Sequence, residues 1–301
     1  MEMLSFALDF IQVSRPGWWL VTAWLYIAPC RTDEINVAGL IFVLLPMNAV
    51  VYGINDASDL HHDLSNDRKG NFIFGPKGWS RARLNRVLVP AIVMTFLPLM
   101  YWGHESNQLL QHMAWFAAAL LVNYLYNFYS FSWNLLLVCM GYGSVTLLSY
   151  WRHGGSGLGL LQLDRRWYFA NCNQEYWMHL ALLLVRGQFW TELLDYESDR
   201  RTKKWTTLSR LPTKELARRL VLAVLLVEAL WCVAMYQIRG SDWAMLLIFA
   251  TVSVISFVSL EYVLPRTKNA PVVDLTYLAM LQNAGGIHVL YDCWRRGTFV
   301  R

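Results

Sequence analysis

Asn55-Asp56-Ala57-Ser58-Asp59-Leu60-His61-His62-Asp63 closes an apolar run that begins near residue 36, and Arg68-Lys69-Gly70 follows closely. Asp56, Asp59 and Asp63 stand at i, i+3 and i+7, the spacing that puts three side chains on one helix face. The same spacing returns at Glu192, Asp195 and Asp199, where a second apolar run opens into Arg200-Arg201-Thr202-Lys203-Lys204. Carboxylates this close repel one another unless a cation holds them. The hard oxygen donors of the two stripes suit Mg²⁺ that keeps coordination positions for phosphate oxygens. A merely solvated acidic helix end is electrostatically poor, because the helix dipole disfavours anions at the C-terminus.

The 301 residues are 56% hydrophobic and 16% charged, with a mean hydropathy of +0.30, too apolar for a soluble domain of this length. The pattern predicts an integral membrane protein with nine helical spans, at about residues 9–30, 36–57, 83–103, 109–130, 133–151, 173–195, 215–238, 243–264 and 272–294. No secretory signal is read at the N-terminus. Cys30, Cys139, Cys172, Cys232 and Cys293 are scattered without CxxC spacing, so neither a zinc site nor a disulfide framework is indicated and they read as small apolar core residues. On the nine-span reading, the N-terminus and the connections after the even spans hold 17 of the 26 Lys/Arg, so the positive-inside rule places the N-terminus and both acidic stripes in the cytoplasm. Basic patches flanking spans and carboxylates point to anionic lipid headgroups or phosphate, and away from nucleic acid.

After the spans are assigned, no soluble domain remains and residues 1–301 read as one transmembrane domain. The longest connections, about 58–82 and 196–214, follow the acidic stripes, and long loops in compact chains are usually functional. A third, Arg152 to Asn171, contains Gly154-Gly155-Ser156-Gly157-Leu158-Gly159 and reads as a flexible connector. The recurrence of helix end, stripe and basic cluster hints at an internal duplication, though the flanking apolar sequence shows no register match.

The N-D-x-x-D-x-x-x-D segment followed by Arg68-Lys69-Gly70, and the segment Asp195-Tyr196-Glu197-Ser198-Asp199-Arg200 continuing to Leu208, resemble the two Asp-rich motifs of the UbiA superfamily of intramembrane prenyltransferases. With the nine spans and Arg15-Pro16, the resemblance covers essentially the whole chain. It implies a polyprenyl diphosphate bound through Mg²⁺, with Asn55, Asp56, Asp59 and Asp63 on one metal and Asp195 and Asp199 on the other. Arg68, Lys69, Lys77, Lys203 and Lys204 are the candidate cations for diphosphate oxygens. The stretch Asn66-Asp67-Arg68-Lys69-Gly70 is closer to carotenoid-elongating members than to quinone-forming ones. The chain also departs from the quinone-forming pattern, because no Lys or Arg follows Tyr129-Ser130. A carboxylate-free acceptor, aromatic or polyene, is expected.

Arg186 stands in mid-span, where a charge costs at least ~2.5 to 3.5 kcal/mol on insertion scales. It either faces the substrate or forms a buried pair with Glu192 or Glu228. Glu192 is a ligand, a neighbour of ligands or a partner for Arg186. Asn123 and Asn127 either line a cavity or hydrogen-bond between helices. Glu261, Asp274 and His288 are lone polar residues with a structural reading. Of the many aromatics, Trp18, Trp19, Trp24, Tyr52, Tyr124 and Tyr126 lie at depths suited to stabilising an allylic cation.

The fold expected is an all-α bundle of nine transmembrane helices around a central cavity with a cytoplasmic polar cap. The activity expected is ionisation of a polyprenyl diphosphate and transfer of the prenyl group to a lipophilic acceptor in the membrane. A terpene cyclase would use the same ionisation and form cyclised hydrocarbon without an acceptor. A cation-coupled transporter would place its carboxylates near the bilayer midplane instead of at helix ends.

Overall fold

A computed structural model describes residues 2–27, 37–66, 68–128 and 174–263. The chain forms two compact units, Met1–Asn171 and Cys172–Arg301. Eight helices cover the described residues, and no strand occurs among them beyond one isolated bridge between Asn71 and Gly75. The expected spans at 133–151 and 272–294, the Arg152–Asn171 connection, Tyr129-Ser130, Asp67, Asp274, His288 and the side chain of Trp24 lie outside the described residues, as do four of the cysteines. Cys232 is a free thiol buried in the second unit.

In the first unit, the expected first span is broken. Helix α1 (Glu2–Ser14) ends before Arg15, whose φ of 52° reverses the backbone; a 3₁₀ turn (Pro16–Trp18) then leads into α2 (Trp19–Ile27). The residue before a proline avoids the right-handed helical region, and a proline suits the first position of a new helical turn, so the break belongs at Arg15-Pro16. Helix α3 (Val37–Asp59) runs through a π turn at Val43–Met47, where Pro46 removes one backbone donor. Helix α4 (Arg81–Glu105) starts on Ser80, whose hydroxyl accepts from the Arg83 N–H at 3.2 Å, and α5 is Leu109–Phe128.

Helix α3 is the centre of this unit and packs against α1, α4 and α5. Phe10 and Val13 of α1, Ala49, Val50 and Ala57 of α3, and Leu84, Val87 and Ala91 of α4 form the core. Gly53 permits the close approach: a Cβ there would stand 3.1 Å from Leu88 and 3.3 Å from Val13.

The second unit contains α6 (Gln174–Thr202), α7 (Lys214–Arg239) and α8 (Ala244–Val263), with α7 packed against both others. Helix α7 starts on Thr213, which accepts from the Leu216 N–H at 3.2 Å, and ends at Gly240 with φ 67°. Helices α3, α4, α7 and α8 are long and apolar enough to cross a membrane. Helix α6 continues beyond residue 195 to Thr202, which makes Asp195 and Asp199 residues of the helix itself.

Candidate diphosphate and metal site

The acidic stripe of the first unit is bent by the end of α3. Asp56 and Asp59 are on the helix, while Asp63 begins a separate 3₁₀ turn (Asp63–Ser65). The expected single helical face therefore holds for two of the three carboxylates. Asp63 still lies close to the helix end, since one lysine ammonium contacts both it and Asp56, and an anion at this end of the dipole calls for such a counter-charge. All three remain buried, with Asp56 only 2% exposed. Burial pushes the Asp63 carboxyl above the ordinary carboxylate range, opposed by Lys69.

Two cations enter this cluster of three carboxylates. Arg15 ion-pairs with Asp56, donates to Asn55 Oδ1 at 3.3 Å and lies 4.6 Å over the Tyr52 ring. The Lys69 ammonium is 2.8 Å from Asp56 Oδ1 and also 2.8 Å from Asp63 Oδ2, so it bridges the two carboxylates. Asp56 Oδ2 is buried with no hydrogen-bond donor.

The loop between α3 and α4 delivers Lys69. The Gly70 N–H donates to Gly75 O at 2.8 Å, the Gly75 N–H returns to Asn71 O at 3.1 Å, and the Asn71 side chain accepts from the N–H groups of Ile73 and Phe74. The loop docks on the broken first helix through the Trp18 indole, which donates to Ile73 O at 2.8 Å. Gly75 has φ 86°, and a Cβ there would stand 2.9 Å from Arg15 Nε and 3.1 Å from Asp56 Oδ2. Glycine is thus required both by the backbone and by the ion pair. Arg68 stacks 4.4 Å over Phe74, and Lys77 is half-buried beside Gly70.

Asn123 and Asn127 resolve as links between helices. Asn127 accepts from Asn55 Nδ2 at 2.7 Å and donates to Asn123 O, while Asn123 donates to Val51 O at 3.2 Å. Asn55 also donates to Asp59 Oδ2 at 3.4 Å. Helix α5 therefore holds Asn55 in orientation next to the acidic pair.

In the second unit, Asp195 is half-buried and Asp199 is 7% exposed, near the end of α6. Burial, then the neighbouring Asp195 charge, pushes the Asp199 carboxyl up to about 8. Asp199 accepts from Thr206 Oγ1 at 3.2 Å, and its carbonyl accepts from the Lys204 N–H at 2.8 Å. The loop that carries Lys203 and Lys204 is fastened back onto α6. Glu192 accepts from the Leu208 N–H and from Gln188, both at 2.8 Å, and the Tyr196 hydroxyl donates to Leu211 O at 2.9 Å. Arg200 adds bonds to Tyr196, Leu211 and Pro212. Glu192 thus anchors this loop to α6. Lys203 is exposed, with φ 56°.

Arg186 lies in α6, 1% exposed, with its Nε 3.0 Å from Glu228 Oε2 of α7 and its Nη1 donating to Ser253 Oγ of α8 at 2.9 Å. Its carboxylate partner is Glu228.

Among the described residues, no three His, Cys, Asp or Glu side chains converge on a point ready for a metal. In the first unit Lys69 occupies the space between two carboxylates. The donor set nevertheless fits a divalent cation on one observation: Asp56 keeps a buried oxygen without a donor, next to the buried carboxylates of Asp59 and Asp63. The role of Arg15 was not legible beyond its motif, because it contacts residues some 40 positions away.

No family model matches the chain. A C(50) β-cyclic carotenoids biosynthesis protein, LbtBC, of Dietzia sp. (strain CQ4) is 39% identical over 95 residues, 29% of this chain and 21% of that protein, so the match spans about a fifth of that relative's length. A structure of a digeranylgeranylglyceryl phosphate synthase superposes with a TM-score of 0.57 at 13% identity, covering 98% of this chain and 100% of that one. A UbiA homologue from Archaeoglobus fulgidus bound to Cd²⁺ superposes with a TM-score of 0.56 at 12% identity, covering 94% and 99%. The fold is the all-helical UbiA fold of an integral membrane protein, and the resemblance read from the two acidic motifs is borne out at that level.

Proposed function

We propose that the chain is an intramembrane prenyltransferase that ionises a polyprenyl diphosphate and passes the prenyl group to a lipophilic acceptor, with residues 1–301 acting as one domain and both acidic motifs in the cytoplasm. The observation that carries this reading is the interleaving of buried carboxylates with Arg15 and Lys69 at the end of α3. A site with both signs at contact distance suits a ligand that is itself a metal-bridged polyanion. Asn55, Asp56, Asp59 and Asp63 would hold one Mg²⁺, and Asp195 and Asp199 another. Those ions would supply electrostatic stabilisation of the departing diphosphate, usually the largest catalytic term in such sites.

The remaining work falls to this chain's own side chains. Lys69, Arg68 and Lys77 on one loop, and Lys203 and Lys204 on the other, neutralise diphosphate oxygens. Asn127 and Asn123 orient Asn55, and Glu192 and Tyr196 keep the second loop seated. Trp18 and Tyr52, with ring centroids 6.3 Å apart below Arg15, offer π faces to an allylic cation. The partial match to a carotenoid biosynthesis protein supports a polyene acceptor over an aromatic acid.

Purified protein given a prenyl diphosphate, a polyene and Mg²⁺ should form the prenylated product, lose activity with EDTA and regain it with Mg²⁺. Asp59→Ala and Asp195→Ala should each lower turnover by at least ~10³-fold, the ~4 kcal/mol scale of losing a principal electrostatic group, while remaining folded. Near-wild-type turnover in either variant at saturating Mg²⁺ would overturn the assignment. Cyclised hydrocarbon formed without acceptor would identify a terpene cyclase instead.

A further inference from the structure

The Lys69 ammonium sits in the gap that a divalent cation held by Asp56 and Asp63 would fill, 2.8 Å from an oxygen of each. It is 8% exposed and reaches that position because the Gly70–Gly75 turn closes the loop beneath it. Two cations cannot share the gap, since the repulsion between a lysine ammonium and a metal ion at such range is large in a poorly solvated site. Asp56 has a second, stationary cation in Arg15, and Gly75 presses against that pair. Lys69 has fewer fixed partners, its ammonium meeting only the two carboxylates. It stands on an unbranched, flexible stem, whereas Arg15 is fixed by Asn55, Asp56 and the Tyr52 ring.

The geometry points to Lys69 as an internal competitor of the metal, which vacates the gap only when diphosphate oxygens offer its ammonium another partner. This rests on the proposed function and deepens it. Lys69 then has two effects of opposite sign. It weakens binding of a bare divalent cation and strengthens binding of the diphosphate, so that the metal and the diphosphate load together. A site built this way keeps Asp56 and Asp63 paired between turnovers, and it does not hold a metal that lacks its substrate.

The test is Mn²⁺ binding to detergent-solubilised full-length protein, read by electron paramagnetic resonance of free Mn²⁺ in the absence of any diphosphate. Lys69→Gln and Lys69→Met should each bind Mn²⁺ about tenfold more tightly than wild type, a change of about 1.4 kcal/mol. Lys69→Arg, which keeps the charge, should bind like wild type. The same Gln and Met variants should bind a non-hydrolysable prenyl diphosphate analogue more weakly with Mg²⁺ present. Two neutral variants guard against one failing to fold, which tryptophan fluorescence would report. Unchanged or weaker Mn²⁺ binding in the neutral variants, with wild type still binding Mn²⁺, would overturn this inference alone. Absence of Mn²⁺ binding in every protein, together with prenyl transfer insensitive to EDTA, would overturn the proposed function as well.

Discussion

Asp199 shows how burial and a neighbouring like charge move one carboxylate. Its folded-state pKa is raised to about 8 by burial and by Asp195. Between the ordinary carboxylate value of ~3.9 and about 8, the folded protein therefore binds a proton that the unfolded chain does not. The associated stabilisation is present in full below the lower value and is lost as pH rises through about 8. Metal-free protein should thus unfold at lower temperature at pH 8.5 than at pH 6. Mg²⁺ has to displace that proton below about pH 8, so its apparent affinity should climb with pH, by at most ~10-fold per unit from this group, and level off above it. Isothermal titration in buffers of different ionisation enthalpy measures the proton released. A flat affinity between pH 6 and 8.5 would remove Asp199 from the metal site. The residue scale is also where sequence reading went furthest, because carboxylate spacing and adjacent Lys/Arg are local properties of the chain.

At the scale of elements, the Arg186–Glu228 pair joins α6 to α7, with Ser253 of α8 as a third member. Six residues along a helix correspond to about 600°, which leaves Glu192 roughly 120° around α6 from Arg186. The helix period alone therefore disfavours Glu192, while only packing selects Glu228. Arg186→Met should cost about 3 to 5 kcal/mol by stranding a buried carboxylate, whereas Arg186→Met combined with Glu228→Leu should recover most of it. Thermal unfolding of the two single variants and the double variant gives the cycle. Additive losses would show that the two charges do not depend on one another. The break between α1 and α2 belongs to the same scale: hydropathy reads straight through Arg15-Pro16, but the backbone turns there, and the turn brings Arg15 to Asp56.

For the whole molecule, the consequence of the proposed site is a choice of acceptor. Arg186 is committed to Glu228 and Ser253, and no other mid-span cation was read from the sequence. A neutral polyene should therefore be prenylated at least ~10-fold faster than 4-hydroxybenzoate at equal concentration, since an unpaired carboxylate in an apolar site is costly. Product analysis in nanodiscs decides it. Efficient benzoate prenylation that vanishes in the Arg186→Met, Glu228→Leu double variant, with polyene transfer retained, would give Arg186 the recognition role. Val89 and Leu97 of α4 and Leu230 of α7 are exposed apolar residues on helices long and apolar enough to cross a membrane.

Long apolar runs, the two acidic stripes and their basic neighbours were determined by the sequence alone. Hydropathy and short-range spacing depend only on residues a few positions apart. They were sufficient for an all-helical membrane protein with carboxylates and cations at helix ends. Tertiary structure decided which cation meets which carboxylate. Arg15 reaches Asp56 across 41 positions, Lys69 folds back 13 positions through a glycine turn, and Asn127 reaches Asn55 across 72. Such pairings follow from where the chain turns and which helices pack. Here those choices rest on a pre-proline break, a positive-φ glycine and a helix that stops at Asp59, whose effects are felt far from their own place in the sequence.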